Sequence, residues 1–419
     1  MEKKPVGIWQ ALALAIFCGL VILGLLAGGV FILVGGFTDW KTTGKVETSL
    51  LPAVMMLSAL VLASALIGRA GWLALARLRH QPETPSRIQP IPIWAGILSF
   101  FGWVAAILLA NFLVNRPSLQ WFSLPFYLVA VGLPVYGLIR LAVGGLNPGS
   151  RMRTWGTLAG GMTISPLLSG LAEGLALLAL LIPVGIYMGL QPQRLQDLQA
   201  FLEQLKNISS QDELIPLLSP YISNPLVLIG GLFFLSVVTP LVEEIAKSLP
   251  VWFSWGRLDS PAQGFALGAL SGAGFGLMEG MLVSATPGTG WGATLAVRAA
   301  SSAMHIITGG IVGWGIAIAS LQKRVLPMLG RYLLGMTIHG SWNACVVVLV
   351  YAGGLMLVSP TSARIVAGLA AIGGLCFLSL LVLAAPVTLW TFNRSFLKST
   401  PAAVVSDNTG PPADGNMVI

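Results

Sequence analysis

Glu243-Glu244-Ile-Ala-Lys247 places two carboxylates and an amine within about one helical turn, inside an otherwise apolar run. Over the next hundred residues come Phe275-Gly-Leu-Met-Glu279, then Arg298 and His305, then His339-Gly-Ser-Trp342-Asn343, each again in an apolar run. Two of the three histidines in the chain belong to this set. An ionisable side chain at mid-bilayer costs at least ~2.5–3.5 kcal/mol on insertion scales, so so dense a group needs a purpose. Carboxylates can deprotonate water, imidazoles can hold a metal or orient the water, and an amide can stabilise an oxyanion. Together those are the parts of a hydrolase. A proton-coupled transporter could use the same carboxylate–histidine chain. A structural polar network explains one such residue well and the whole set poorly.

Helical spacing says which groups can meet. Residues i and i+4 share a face, so Glu243 stands beside Lys247 and His339 beside Asn343. Glu243 and Glu244 are about 100° apart on the wheel, with Lys247 between them. Arg298, Ser302, His305 and Gly309 form one stripe. Counting ~1.5 Å per residue from the middle of each run puts most of the set near one depth, with Glu279 the outlier toward the outer side. Glycines at 264, 268, 272, 276 and 280 recur every fourth residue, a ridge that lets helices approach closely and brings Glu279 near its neighbours. The first half contributes only Arg69, Arg140 and Glu173 as candidates inside apolar runs. A short echo, Gly-Leu-x-Glu-Gly, links 170–174 with 276–280; no longer repeat accompanies it, and it reads as chance.

The elements that must position these groups are transmembrane helices. The 419 residues are 55% hydrophobic and 9% charged, with a mean hydropathy of +0.84, against roughly 25% charged in a soluble globular chain. That excludes a soluble enzyme, a nucleic-acid binder and a disordered regulator. Ten apolar segments, at about 8–36, 50–76, 93–114, 121–145, 160–189, 226–253, 262–286, 291–320, 328–356 and 363–391, are each long enough to cross ~30 Å of hydrocarbon. They are too long and uninterrupted for barrel strands. The fold expected is an all-α, polytopic transmembrane helical bundle of about ten spans. The first apolar run is too long for a cleaved leader and is read as a retained span.

The net charge of +8 fits basic residues flanking spans, and no dense Lys/Arg cluster suggests nucleic acid. With the amino terminus inside, twelve Lys and Arg fall on the inner side and six on the outer. Both termini are therefore expected in the cytoplasm, in a membrane of the bacterial inner type. Cys18, Cys345 and Cys376 lie unpaired in apolar runs and identify no compartment. Residues 1–189 form amino-terminal membrane helices of open role. Residues 190–224 carry Leu195, Leu198, Leu202 and Leu205 at helical spacing, with Ser210 and Glu213 spaced as a capping box. That amphipathic segment either lies on the interface or gates the second half from outside. Residues 225–356 make the catalytic core and 357–392 a last span. The Pro-, Gly- and Ser-rich 393–419 is expected to be a disordered cytoplasmic tail.

The ordered set at 243–247, 275–279, 298–305 and 339–343 resembles the PrsW family of intramembrane proteases, itself similar to the CAAX prenyl endopeptidase and bacteriocin-processing superfamily. In that wider group the first motif more usually ends in Arg and the second in His, so Lys247 and Glu279 favour the PrsW branch. The likeness covers about 225–355. It implies peptide-bond hydrolysis in or near the membrane, on membrane-anchored protein substrates such as anti-sigma factors. Carried onto these residues, it makes Glu243 the water-activating base, Glu244 its support and Lys247 the group that holds the pair. His305 and His339 bind water or a metal, with Glu279 as a third ligand; zinc is the ion such a set could take. Asn343 becomes an oxyanion donor and Arg298 a supporting residue. The polar neighbour expected after Glu279 is here Gly280. A prenyl-protein endopeptidase is the alternative within the enzyme class, and a proton-coupled transporter the alternative outside it.

Overall fold

The computed structural model describes residues 7–208, 211–288, 290–358 and 361–399. Its elements are helices throughout: α1 (Ile8–Thr43), α2 (Leu51–Leu78), α3 (Ile93–Val114), α4 (Ser123–Val143), α5 (Arg151–Gly189), α6 (Pro192–Lys206), α7 (Gln211–Ile222), α8 (Pro225–Phe233), α9 (Thr239–Trp252), α10 (Pro261–Ser284), α11 (Trp291–Gln322), α12 (Leu326–Val358) and α13 (Thr361–Ser399). A π-helical turn, Phe234–Val238, joins α8 to α9 without a break, so Pro225–Trp252 is one span. Among the described residues ten helices are long and apolar enough to cross a membrane, at the places the apolar runs predict. The protein is an integral membrane protein.

Elementary capping rules place several boundaries. The Ser150 hydroxyl accepts from the Arg153 N–H at 3.2 Å and the Ser260 hydroxyl from the Gln263 N–H at 3.1 Å, so α5 and α10 start where an orphan donor is satisfied. Pro261 follows at the first position of α10, where its missing N–H costs nothing. Arg140, in the last turn of α4, donates to the carbonyls of Gln89 and Pro90 at 2.9 and 3.0 Å. It anchors the α2–α3 connection and is not a mid-membrane charge.

The helices differ sharply in burial. α10 and α11 are buried almost all round, whereas the others bury one stripe and turn apolar side chains outward. The glycine ridge explains the inner pair. A Cβ on Gly268 would lie 2.0 Å from the Gly309 carbonyl oxygen, and one on Gly272 2.0 Å from that of His305. Only bare backbone permits the two helices to come so close. Gly280, the last of the ridge, instead faces Val131 of α4.

One expectation is revised at the edges. Residues 393–399 are not tail: α13 continues to Ser399 because its end is tied inward. The Asn393 amide donates to the carbonyls of Ala142 and Gly144 at 3.0 and 2.9 Å, and the Phe396 ring lies 5.1 Å from that of Phe265. The rest of that segment, 400–419, lies outside the described residues. Between α5 and α8, the amphipathic segment is the helix pair α6 and α7, which meet through the rings of Phe201 and Tyr221 at 4.9 Å. The leucine stripe of α6 is exposed. Ser210, the residue read as a cap, lies outside the described residues.

Candidate active site

Four helices supply the site. α9 brings Glu243, Glu244 and Lys247, α10 brings Phe275 and Glu279, α11 brings Arg298 and His305, and α12 brings His339. Lys247 is at the centre, fully buried. Its Nζ donates to Glu244 Oε1 at 2.6 Å and to His305 Nδ1 at 2.8 Å, and stands 3.8 Å from Glu243 Oε2. It therefore pairs more closely with Glu244 than with its i+4 neighbour. The Phe275 ring covers this centre, 5.1 Å from Lys247 Nζ and 5.0 Å from the His305 ring.

Each histidine is held by its own carboxylate. His339 Nδ1 is 3.0 Å from Glu244 Oε1 and 3.4 Å from Lys247 Nζ; with Nδ1–H donating to the nearer carboxylate, Nε2 carries a lone pair toward Glu243 Oε2 at 3.7 Å. His305 accepts from Lys247 at Nδ1, which makes its Nε2–H the donor to Glu279 Oε2 at 3.0 Å. The other oxygen of Glu279 pairs with Arg298 Nη1 at 2.5 Å. These protonation states follow from the partners each ring nitrogen has. A carboxylate behind an imidazole fixes ring orientation and raises basicity.

A metal would fit these residues once His305 exchanges one of its two bonds for the ion. Donor atoms of Glu243, His305 and His339 all lie within 4.8 Å of one another. Glu243 Oε2 is buried with no hydrogen-bond partner among the described residues, and two imidazoles with a carboxylate form an ordinary zinc-type donor set. Glu279, expected as the third ligand, has its oxygens engaged by Arg298 and His305, and His305 in turn has Nδ1 on Lys247 and Nε2 on Glu279, so Glu243 and His339 are the members of the set that present an uncommitted donor atom.

Exposure is graded across the site. The side chains of Glu244 and Lys247 are 0% exposed and that of His339 2%, while Glu243 reaches 10%, Arg298 18% and Glu279 29%. The site therefore opens on the α10–α11 side and is sealed at α9.

Asn343 is not in this cluster. Its Nδ2 donates to the Leu235 carbonyl at 2.8 Å, inside the π-helical turn. A π-turn frees backbone acceptors from the regular ladder, and α12 takes them up. Gly340 completes the fit, since a Cβ there would lie 2.3 Å from the Ser236 carbonyl oxygen. Two serines also escaped the sequence reading: Ser165 Oγ of α5 donates to the Ala246 carbonyl at 3.0 Å, and Ser271 Oγ of α10 to that of Lys247 at 2.6 Å. They brace α9 beside its charged turn. A small polar residue in an apolar run gives no sign of which helix it will meet.

Carboxylates, imidazoles and an amine gathered inside a membrane bundle, with Glu243 Oε2 and Glu244 Oε2 left unpartnered among the described residues, are the parts a hydrolytic centre needs. Residues 215–371 match the model of the PrsW family of intramembrane metalloproteases. That region holds every residue of the cluster and makes the protein an intramembrane endopeptidase acting on protein substrates. Helices α1–α5 lie outside it. No match was found among curated proteins or solved structures.

Proposed function

We propose that Glu243 is the base that deprotonates the attacking water, with His339 and His305 positioning that water and the scissile carbonyl. The observation that carries this is the unpartnered, buried Oε2 of Glu243 facing the free Nε2 of His339. Glu244 orients His339, and Lys247 locks both pairs together. Arg298 and Glu279 do the same for His305 at the open side. Asn343 serves as a positioning residue for α12 and not as the oxyanion donor the family resemblance implies. In the metal-loaded form, with His305 exchanging its bond to Glu279 for the ion, Glu243, His305 and His339 would instead serve as ligands to a divalent ion, zinc being the best match to the donors, and the ion would supply the activation of water and carbonyl that Glu243 supplies as a base without it.

The substrates are membrane-anchored, single-span proteins of the anti-sigma-factor-like regulatory kind, approaching past α6 and α7. The positive-inside bias supports a bacterial inner membrane with both termini cytoplasmic. The test is proteolysis in proteoliposomes, with wild type and Glu243→Gln each given a panel of single-span membrane proteins and the products read by mass spectrometry. A product made by wild type and not by the variant is expected. Equal product from both removes Glu243 from the mechanism.

A further inference from the structure

Glu173 of α5 lies outside the family-matched region, and no role described above uses it. Its placement is specific. Beyond Ser169, the last buried residue of α5, the upper half of that helix leaves the bundle. The half-buried positions that follow most closely are Ala172, Glu173 and Ala176, at i+3, i+4 and i+7 from Ser169. They continue one face, the face by which Ser165 holds α9.

α10 repeats this arrangement. Ser165 and Ser271 donate to consecutive carbonyls of α9, those of Ala246 and Lys247. Glu173 stands eight residues beyond Ser165, and Glu279 eight beyond Ser271, which is about 12 Å along each axis. The Gly-Leu-x-Glu-Gly echo thus extends to Ser-x4-Gly-Leu-x-Glu-Gly at 165–174 and 271–280. It marks two helices that grip the same turn of α9 and raise a glutamate beside it. The two glutamates differ in one respect. Glu279 is tied to Arg298 and His305, whereas Glu173 has no hydrogen bond or ion pair among the described residues.

The cations of the site are already committed, Lys247 to Glu244 and Arg298 to Glu279. A carboxylate within a span calls for a counter-charge, and Glu173 stands on the face of α5 that continues from its contact with α9. We propose that Glu173 contacts the substrate and selects a Lys or Arg side chain close to the bond to be cut. The inference rests on the proteolytic reading of the site. A carboxyl left without a partner until a basic side chain arrives to stabilise its ionised form is a device for discrimination, because a neutral or acidic segment gains nothing there.

The test uses the full-length protein in proteoliposomes and a single-span protein that wild type cleaves. The basic residue nearest the cleavage point is changed to Gln or Glu. With wild type, each change should lower kcat/KM by about tenfold or more, chiefly through KM. Glu173→Gln should abolish the difference between the Lys and Gln substrates. Glu173→Lys should prefer the Glu substrate, a charge-swap rescue that a packing role would not produce. Cleaved substrates with no basic residue near the cut, or Glu173→Gln retaining the full preference for Lys, would overturn the proposal. Glu243→Gln run alongside separates the two claims. If it still cleaves, the catalytic assignment fails; if it is inactive while Glu173 variants keep wild-type preference, only the role of Glu173 fails.

Discussion

The two imidazole–carboxylate pairs are built alike and placed differently. His339 and Glu244 are sealed between α9 and α12, whereas His305 and Glu279 stand at the mouth, with Glu279 29% exposed and held by Arg298. Lys247 reaches both, at 2.6 Å to Glu244 and 2.8 Å to His305. The difference separates two jobs. A buried pair with no spare acceptor toward solvent keeps its geometry whatever binds, while a partly open pair can respond to a substrate. Glu243 lies between them, with its free oxygen on the boundary.

The sharpest break in this comparison is Glu243→Gln. It keeps the shape and removes the basic oxygen, so cleavage should fall about 10²–10⁴-fold, the usual contribution of general-base catalysis, measured as product per time in proteoliposomes. Unchanged thermal unfolding in detergent would show that the fold is intact. Lys247→Met tests the link between the pairs. It leaves Glu244 buried without its cation and should cost about 3–5 kcal/mol of stability, read as a lower unfolding midpoint and loss of activity together. A variant as stable as wild type would mean the pairs are independent.

Glu279→Gln addresses the open pair alone. Losing the carboxylate behind an imidazole typically costs about 10–100-fold in activity or metal affinity, and here the protein should unfold near the wild-type midpoint because Glu279 is partly exposed. Glu244→Gln should by contrast impair both folding and cleavage, and equal behaviour of the two variants would erase the sealed-versus-open distinction. The smallest effect is expected from Ser271→Ala. It removes one hydrogen bond to the Lys247 carbonyl, about 1 kcal/mol net, with a slight shift in midpoint and little change in rate.

Much of this was legible in the chain. Hydropathy locates all ten spans because lipid punishes any polar interruption, and the ionisable residues of α9–α12 stand out for the same reason. Geometry between helices was less visible. Depth counted along straight helices makes Glu279 an outlier, yet α10 and α11 cross so closely at Gly272 that Glu279 reaches His305 at 3.0 Å. The π-turn at Phe234–Val238 has no signature in an apolar run, so the pairing of Asn343 with Leu235 was hidden, and His339–Asn343 was read as one functional face. Composition misplaced the end of α13, because Pro, Gly and Ser of the last twenty residues outweighed the anchoring of Asn393 and Phe396.

The π-turn has a mechanical consequence. Its liberated carbonyls clip α12 through Asn343 and Gly340, and Tyr332 adds a bond to the Leu241 carbonyl at 2.6 Å one turn on. α9 and α12 are thereby fastened at two levels, both on the amino-terminal side of the charged turn. The charged turn that carries Glu243, Glu244 and Lys247 is thus hung from α12 by its amino-terminal neighbour, so a change in that joint would be felt first at Glu243.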